Sequence, residues 1–265
     1  MSAVEVKDVW KIYGEQTVLE RINMSVEAGA FISLVGPSGC GKSTFLRMIL
    51  GEEAPSRGQI LVDGKPLVAE PSPERGVVFQ KYSVFPHMTA LQNVMVGLEF
   101  AESAFLGRLM GAKRKAAREK ATDLLKSVGL GHAMEKYPSE LSGGMQQRLA
   151  LAQAFIKRPK ILLLDEPFGA LDPGIRSDIH ELMLTLWRET GMTVFMVTHD
   201  LSEAFKLGTR VIAFDRRRDR PEEALAYGAE ITFDITVYRT EESPPQPVSA
   251  DDMAAAQADR LAVNG

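Results

Sequence analysis

A mostly apolar run, Phe31 to Val35, broken only by Ser33, leads straight into Gly36-Pro37-Ser38-Gly39-Cys40-Gly41-Lys42-Ser43-Thr44, after which Phe45, Leu46 and Ile49 recur at helical spacing until Gly51. No other stretch constrains the fold as tightly. A buried strand, a glycine-rich turn and a helix, in that order, form the opening unit of an open α/β sheet whose ligands gather at the carboxyl ends of the strands. The loop fits G-x-x-x-x-G-K-[ST] in the strand-to-helix context that gives the pattern its meaning. Its glycines let the backbone wrap a polyphosphate, while consecutive N–H groups and the positive end of the helix complement the charge. Lys42 reaches the β- and γ-phosphates, the Ser43 hydroxyl ligates Mg²⁺, and Thr44 adds a hydrogen bond to a phosphate oxygen. Cys40 is the chain's single cysteine. Inside the loop it reads as a small tolerated side chain whose thiol is open to alkylation.

Ile161-Leu-Leu-Leu-Asp165-Glu166 places two acids at the end of a second aliphatic strand. Alone, the pair reads as exposed acids capping a turn. Beside the phosphate loop, Asp165 holds the metal directly or through water and Glu166 polarises the attacking water, since phosphoryl transfer chiefly needs positioning and charge neutralisation.

Around these motifs the periodicity alternates between strand and helix. Ile22, Met24 and Val26 alternate as a half-buried strand; Ile60 and Val62 precede the hairpin dipeptide Asp63-Gly64, so an antiparallel sheet is expected early in the chain. Gly76 to Phe79 reads as a short strand ending at Gln80, and from there to about Lys160 only helical periodicity remains, clearest over Ala112 to Val128. This is read as an inserted helical subdomain. Pro173 opens a helix with Ile175, Ile179, Leu182, Met183 and Leu186 on one face. Thr193 to Val197 and Val211 to Phe214 are strands, Leu201 to Leu207 a helix, and Ile231, Phe233, Ile235 and Val237 alternate as a last strand. Glu241 to Gly265, rich in Pro, Ala, Ser and Asp, is expected to be a disordered tail. No solenoid repeat is visible.

The composition narrows the setting. The 265 residues are 45% hydrophobic and 25% charged with a net charge of -4, so a packed α/β domain is affordable and no global basic excess draws the chain to nucleic acid. One cysteine fits a reducing compartment. Met1 to Val9 is no signal peptide and no apolar run reaches the roughly 18 residues of a spanning helix, so the expectation is a cytosolic chain held at a membrane only by a partner.

Leu141-Ser142-Gly143-Gly144-Met145-Gln-Gln-Arg148 completes the picture. By itself it is a well-capped helix start, Ser142 capping and the two glycines baring the N-terminus for a phosphate. Joined to the phosphate loop and the strand-end acids, it resembles the signature of the ATP-binding subunit of an ABC transporter, over roughly Met1 to Phe214. That resemblance implies an α/β P-loop ATPase with a mixed sheet, an antiparallel β-subdomain and an α-helical subdomain inserted at about 81–160, the whole occupying 1–240 and followed by the tail 241–265. It implies that Tyr13, by itself a core or surface aromatic near Trp10, stacks on adenine. Gln80 senses Mg²⁺ and the attacking water, His199 hydrogen-bonds the γ-phosphate, and Asp172 contacts the opposite subunit. Ser142, Gly143 and Gly144 bind the γ-phosphate held by that subunit, so two copies lie head to tail around ATP and Mg²⁺.

Its implied partners are transmembrane permease subunits and, through them, a solute-binding protein, with no nucleic acid, at the cytoplasmic face of the membrane. Gln80 to Leu91 is apolar for a loop; its Tyr82, Val84, Phe85 and Leu91 either pack the helical insert or receive a coupling helix of the permease. Arg108 to Lys126 is read as a solvated basic helix face. Met145, where the signature usually has Gln, resembles importers of the nitrate, taurine and alkanesulfonate group. The alternatives are a soluble non-transport ABC ATPase, disfavoured by the lack of a second cassette or long coiled-coil insert, and the ATPase subunit of an exporter.

Overall fold

The alternation at Ile22, Met24 and Val26 lies in β2 (Gln16–Glu27), which buries every second side chain along its second half. The computed structural model describes residues 2–70, 72–79, 84–102, 110–169, 171–216 and 227–237. Pairing with β2 is β1 (Ser2–Tyr13), a strand that sequence alternation does not announce. Val4 and Val6 keep period two, but Asp8 adopts φ 46° and the register shifts between Val6 and Val9. β1 also pairs with β4 (Arg57–Val62), and the Asp63-Gly64 turn, at φ 50° and 75°, folds β4 onto β5 (Lys65–Pro66). Positive φ at both turn residues is what a two-residue hairpin demands. The result is the expected antiparallel sheet, in order β2-β1-β4-β5.

The second sheet has six strands: β3 (Phe31–Val35), β6 (Arg75–Val78), β7 (Ile161–Asp165), β8 (Thr193–Val197), β9 (Arg210–Asp215) and β10 (Glu230–Thr236), in order β10-β9-β3-β8-β7-β6. All pairings within β9 to β6 are parallel and β10 adds on antiparallel, which makes the sheet mixed. Both faces are covered, so the central strands read as continuous apolar runs. Ile32, Leu34, Leu163, Phe195 and Val197 pack with α1 (Lys42–Leu50) and with Val4, Leu19, Ile22 and Val26 of the antiparallel sheet. Phe31, Leu162, Leu164, Val194 and Met196 face the helices. These are α2 (Ala90–Glu102), α3 (Gly111–Ser127) and α4 (Gly143–Phe155), all between β6 and β7, and α5 (Pro173–Thr190) between β7 and β8. A short α6 (Leu201–Leu207) follows β8. None of the helices among the described residues is long and apolar enough to cross a membrane.

β10 departs from the expected half-buried alternation. The register shifts between Ile231 and Phe233, so Ile231 packs with the α1 side of the sheet while Val237, of the same parity, packs with Val35, Val211 and Ala204. A bulge moves the apolar set from one face to the other, and Ile235 is left 39% exposed. The strand is fixed by Arg210, which donates from Nε and Nη2 to the two oxygens of Asp234 at 2.6 Å each. The segment entering β10 also reaches the antiparallel sheet, where Glu20 N donates to Ala229 O and Ala229 N to Val18 O. The tail 241–265 lies outside the described residues.

Candidate functional site

Parallel pairing sets the carboxyl ends of β3, β8 and β7 side by side, with Leu34 and Asp165 both in register with Val197. Three turns leave this edge together: Gly36 to Gly41 from β3, Glu166 from β7 and Thr198-His199 from β8. This is why residues 36, 165, 166 and 199 meet although the chain separates them widely.

The loop is built around Lys42, a buried residue whose ammonium donates to the carbonyls of Gly36 at 2.7 Å and Pro37 at 2.8 Å. Gly36 needs to be glycine: its φ is 139° and an added Cβ would stand 2.0 Å from the Phe214 carbonyl oxygen. Gly41 caps α1 at φ 90° with no side-chain cap and no acid in the first turn, so the helix end keeps its positive potential for an anion. Cys40 is buried, and burial pushes its thiol above the ordinary range while Lys42 pulls it back.

Ser43 Oγ donates to Asp165 Oδ1 at 3.1 Å. Burial, with the charge of Glu166 adding to it, holds the Asp165 carboxyl above its ordinary range against the Ser43 hydrogen bond and the charges of Arg47 and Lys42. A hydroxyl and a partly desolvated carboxylate side by side are hard oxygen donors of the kind Mg²⁺ takes, and Mg²⁺ commonly completes its shell with waters and phosphates. The donor set therefore fits the ion. Among the described residues no cluster of three or more His, Cys, Asp or Glu forms an all-protein metal cage. Gln80, expected here, lies outside the described residues, two positions beyond the end of β6.

Glu166 adopts φ 46°, a left-handed conformation that costs a non-glycine residue about 1 kcal/mol. Its N–H donates to Val197 O at 3.0 Å, tying the end of β7 to β8, and its Oε2 lies 3.5 Å from His199 Nδ1. The His199 side chain is 67% exposed, so it faces outward over the same edge. Tyr13 is 44% exposed and is not a core aromatic. Its phenol donates to Glu53, the Lys11 ammonium stands over its ring at 4.8 Å, and burial followed by the Glu53 contact raises its titration, with the Thr44 hydroxyl pulling the other way.

The remaining sequence-expected residues lie apart from this cluster. Ser142 accepts from Met145 N at 3.4 Å and so caps α4 as expected. Gly144 is buried, and an added Cβ would stand 2.5 Å from Ile175 Cγ2, which gives this glycine a packing duty that sequence reading did not assign. Asp172 is exposed at the start of α5, making no side-chain cap bond. Sequence reading also missed a buried group beneath His199: His180 Nε2 stands 2.8 Å from Glu203 Oε1, and Thr198 Oγ1 hydrogen-bonds Glu203 Oε2. The spacing Asp200-x-x-Glu203 is the available signal, yet it suggests a capping box with Glu203 turned back to the helix start.

A separate groove lies between β6, α2 and α4, with apolar walls at Val77, Val78, Phe85, Val96 and Ala154 and polar side chains at Arg75, Gln153 and Lys157. Phe85 is 37% exposed there, and Asn93, fully buried, fixes its loop by accepting from Phe85 N at 2.7 Å and donating to Phe85 O at 3.0 Å.

Comparison with known proteins shows what the chain is similar to. The family model described as ABC transporter matches residues 19–169. The spermidine/putrescine import ATP-binding protein PotA of Chromobacterium violaceum is 41% identical over 234 residues, 86% of this chain and 62% of that protein. The bicarbonate transport ATP-binding protein CmpD of Synechocystis sp. is 42% identical, covering 78% of this chain and 72% of the relative; the nitrate import ATP-binding protein NrtD of the same organism is 42% identical, covering 81% and 78%. The chain thus spans about three fifths of the polyamine relative's length. A dimeric post-hydrolysis ATP-binding cassette bound to ADP and Pi superposes with TM-score 0.72 at 32% identity, over 89% of this chain and 100% of the other. A cassette in its ADP conformation gives TM-score 0.76 at 21% identity, over 100% and 98%, a likeness of fold.

Proposed function

The chain belongs to the ABC transporter family, whose ATP-binding proteins hydrolyse ATP to power transport, and from that premise we propose that it is the MgATP-hydrolysing subunit of an importer. The observation that carries this reading is the convergence at one sheet edge of the Lys42 loop, the Ser43–Asp165 pair and the Glu166–His199 pair. Residues 1–240 are taken as the ATPase domain with the helical segment about 81–160 inserted in it. Two copies pack head to tail, so that ATP held by Gly36 to Thr44 of one copy meets Ser142, Gly143 and Gly144 of the other, with Asp172 lining the contact. The 32%-identical cassette, solved as a dimer, supports a second copy.

Each side chain has one task in the reaction. Lys42 exchanges its carbonyl contacts for phosphate oxygens, and the bare N–H groups at the start of α1 take the remaining charge. Tyr13 stacks on the adenine ring. Glu166 accepts the proton of the attacking water as its oxygen bonds to the γ-phosphorus and the bond to the β–γ bridging oxygen breaks. His199 donates a hydrogen bond to a γ-phosphate oxygen as negative charge gathers there. Ser43, Asp165 and Gln80 would hold Mg²⁺, which would supply charge neutralisation at the triphosphate.

The membrane connection is supported by the import relatives and by the groove at Phe85, whose apolar walls with Arg75, Gln153 and Lys157 beside them suit an amphipathic helix presented by a permease subunit. The chain then sits peripherally on the cytoplasmic face, linked only indirectly, through the permease, to a solute-binding protein. The proposed cargo is a small anion of the nitrate, taurine or sulfonate kind, supported by Met145 and by the nitrate and bicarbonate relatives that match this chain in length better than the polyamine one does. Purification of the tagged chain from its host in mild detergent, followed by mass spectrometry, tests the reading. A polytopic membrane protein with a solute-binding partner is expected; soluble proteins or nucleic acid alone would contradict it.

A further inference from the structure

His199 is held between two pinned neighbours. Thr198 N donates to Leu34 O at 3.1 Å, and Asp200 N donates to Thr198 Oγ1 at 3.1 Å. The Thr198 hydroxyl in turn donates to Glu203 Oε2 at 2.5 Å, so it is engaged as both acceptor and donor and its rotamer is fixed. The other Glu203 oxygen lies 2.8 Å from His180 Nε2. A carboxylate only accepts, so that nitrogen carries the proton. His180 and Glu203 are 5% and 6% exposed, and the Phe168 ring meets His180 edge-on at 4.8 Å between centroids.

A buried carboxylate is expensive unless it is hydrogen-bonded, and both oxygens of Glu203 are. The chain of contacts crosses from α5 to the turn after β8, spanning 23 residues of sequence. A second link runs parallel to it, from Arg176 Nη1 of α5 to Asp200 Oδ2 at 3.5 Å. Helix α5 begins directly after Asp172. The His199 turn is thus fastened to the helix that starts at the proposed contact with the second copy.

We propose that His180, Glu203 and Thr198 are positioning residues that hold His199 over the nucleotide site, acting through the buried chain His180–Glu203–Thr198. This rests on the ATPase reading above. None of the three touches the phosphate; their effect passes through the direction in which His199 is presented.

The test is a double-mutant cycle on the full chain, reading phosphate release, KM for MgATP and melting temperature. Thr198→Val keeps the shape and removes the hydroxyl. It should lower kcat roughly ten-fold, the worth of a lost charge-assisted hydrogen bond, with KM within about two-fold. In a His199→Ala background the same change should cost nothing further. Glu203→Gln, which keeps an acceptor for Thr198 and a partner for His180, should lose less than Glu203→Leu. Losses from Thr198→Val and His199→Ala that multiply, or a lower melting temperature with unchanged kcat, would overturn the positioning role. A wild-type chain that hydrolyses no MgATP would instead overturn the ATPase reading.

Discussion

Replacing Gly144 by alanine puts a methyl group 2.5 Å from Ile175 Cγ2, where ordinary contact begins at 3.4 Å, so the Ile175 side chain, or the helix that carries it, must give by about 0.9 Å. Ile175 sits one turn into α5 and packs against the larger apolar cluster, and Gly144 is buried at the second position of α4. A gap of this size forfeits a quarter to a half of the dispersion energy of the atoms it separates, and overpacking of this kind costs about 1–3 kcal/mol. For a domain of this size that lowers the melting temperature by roughly 3–10 °C. Truncating the opposing residue supplies the control: Ile175→Ala removes the clashing methyl, so Gly144→Ala should cost less in that background than in the wild type. Thermal unfolding followed by circular dichroism gives all four corners of the cycle. Additive losses in the double variant, or a Gly144→Ala protein as stable as the wild type, would refute the close approach of the two helices.

Two further changes probe the site and the edge of the sheet. Lys42→Ala should weaken ATP binding about a hundred-fold, because the loop loses its cation at the phosphates; an unchanged affinity by titration calorimetry would remove Lys42 from the binding role. Asp234→Asn keeps the shape but turns the two-pronged Arg210 contact into a single neutral one, and should cost about 1 kcal/mol in urea unfolding, whereas Asp8→Asn on the exposed face should cost less.

Much of the site was legible because its residues sit at strand ends that announce themselves. The runs Phe31 to Val35, Ile161 to Leu164 and Thr193 to Val197 are apolar apart from the buried Ser33 and Thr193 because helices or a second sheet cover both faces, and each leads into a residue of the site. Asp63-Gly64 fixed a hairpin through local backbone preference alone. Illegible were the features set by long-range pairing. The bulge beyond Ile231 breaks a clean alternation in β10, and the positive φ of Asp8 hides β1. Gly76 to Phe79 proved to be Arg75–Val78, a one-residue offset decided by pairing with Ile161 to Leu164. The left-handed Glu166 follows from the hydrogen bond of its N–H to Val197, which no local pattern encodes. His180, Glu203 and Thr198 become one group only after α5 and α6 pack over the sheet.

The central claim, that Glu166 is the general base of an ATP-bound dimer, is tested most directly by sedimentation of Glu166→Gln with MgATP, with released phosphate assayed in the same sample. Expected is a dimer that forms only with MgATP and hydrolyses it at least a hundred-fold more slowly than the wild type. A Glu166→Gln protein that stays monomeric and releases phosphate at the wild-type rate would contradict both the base and the dimer.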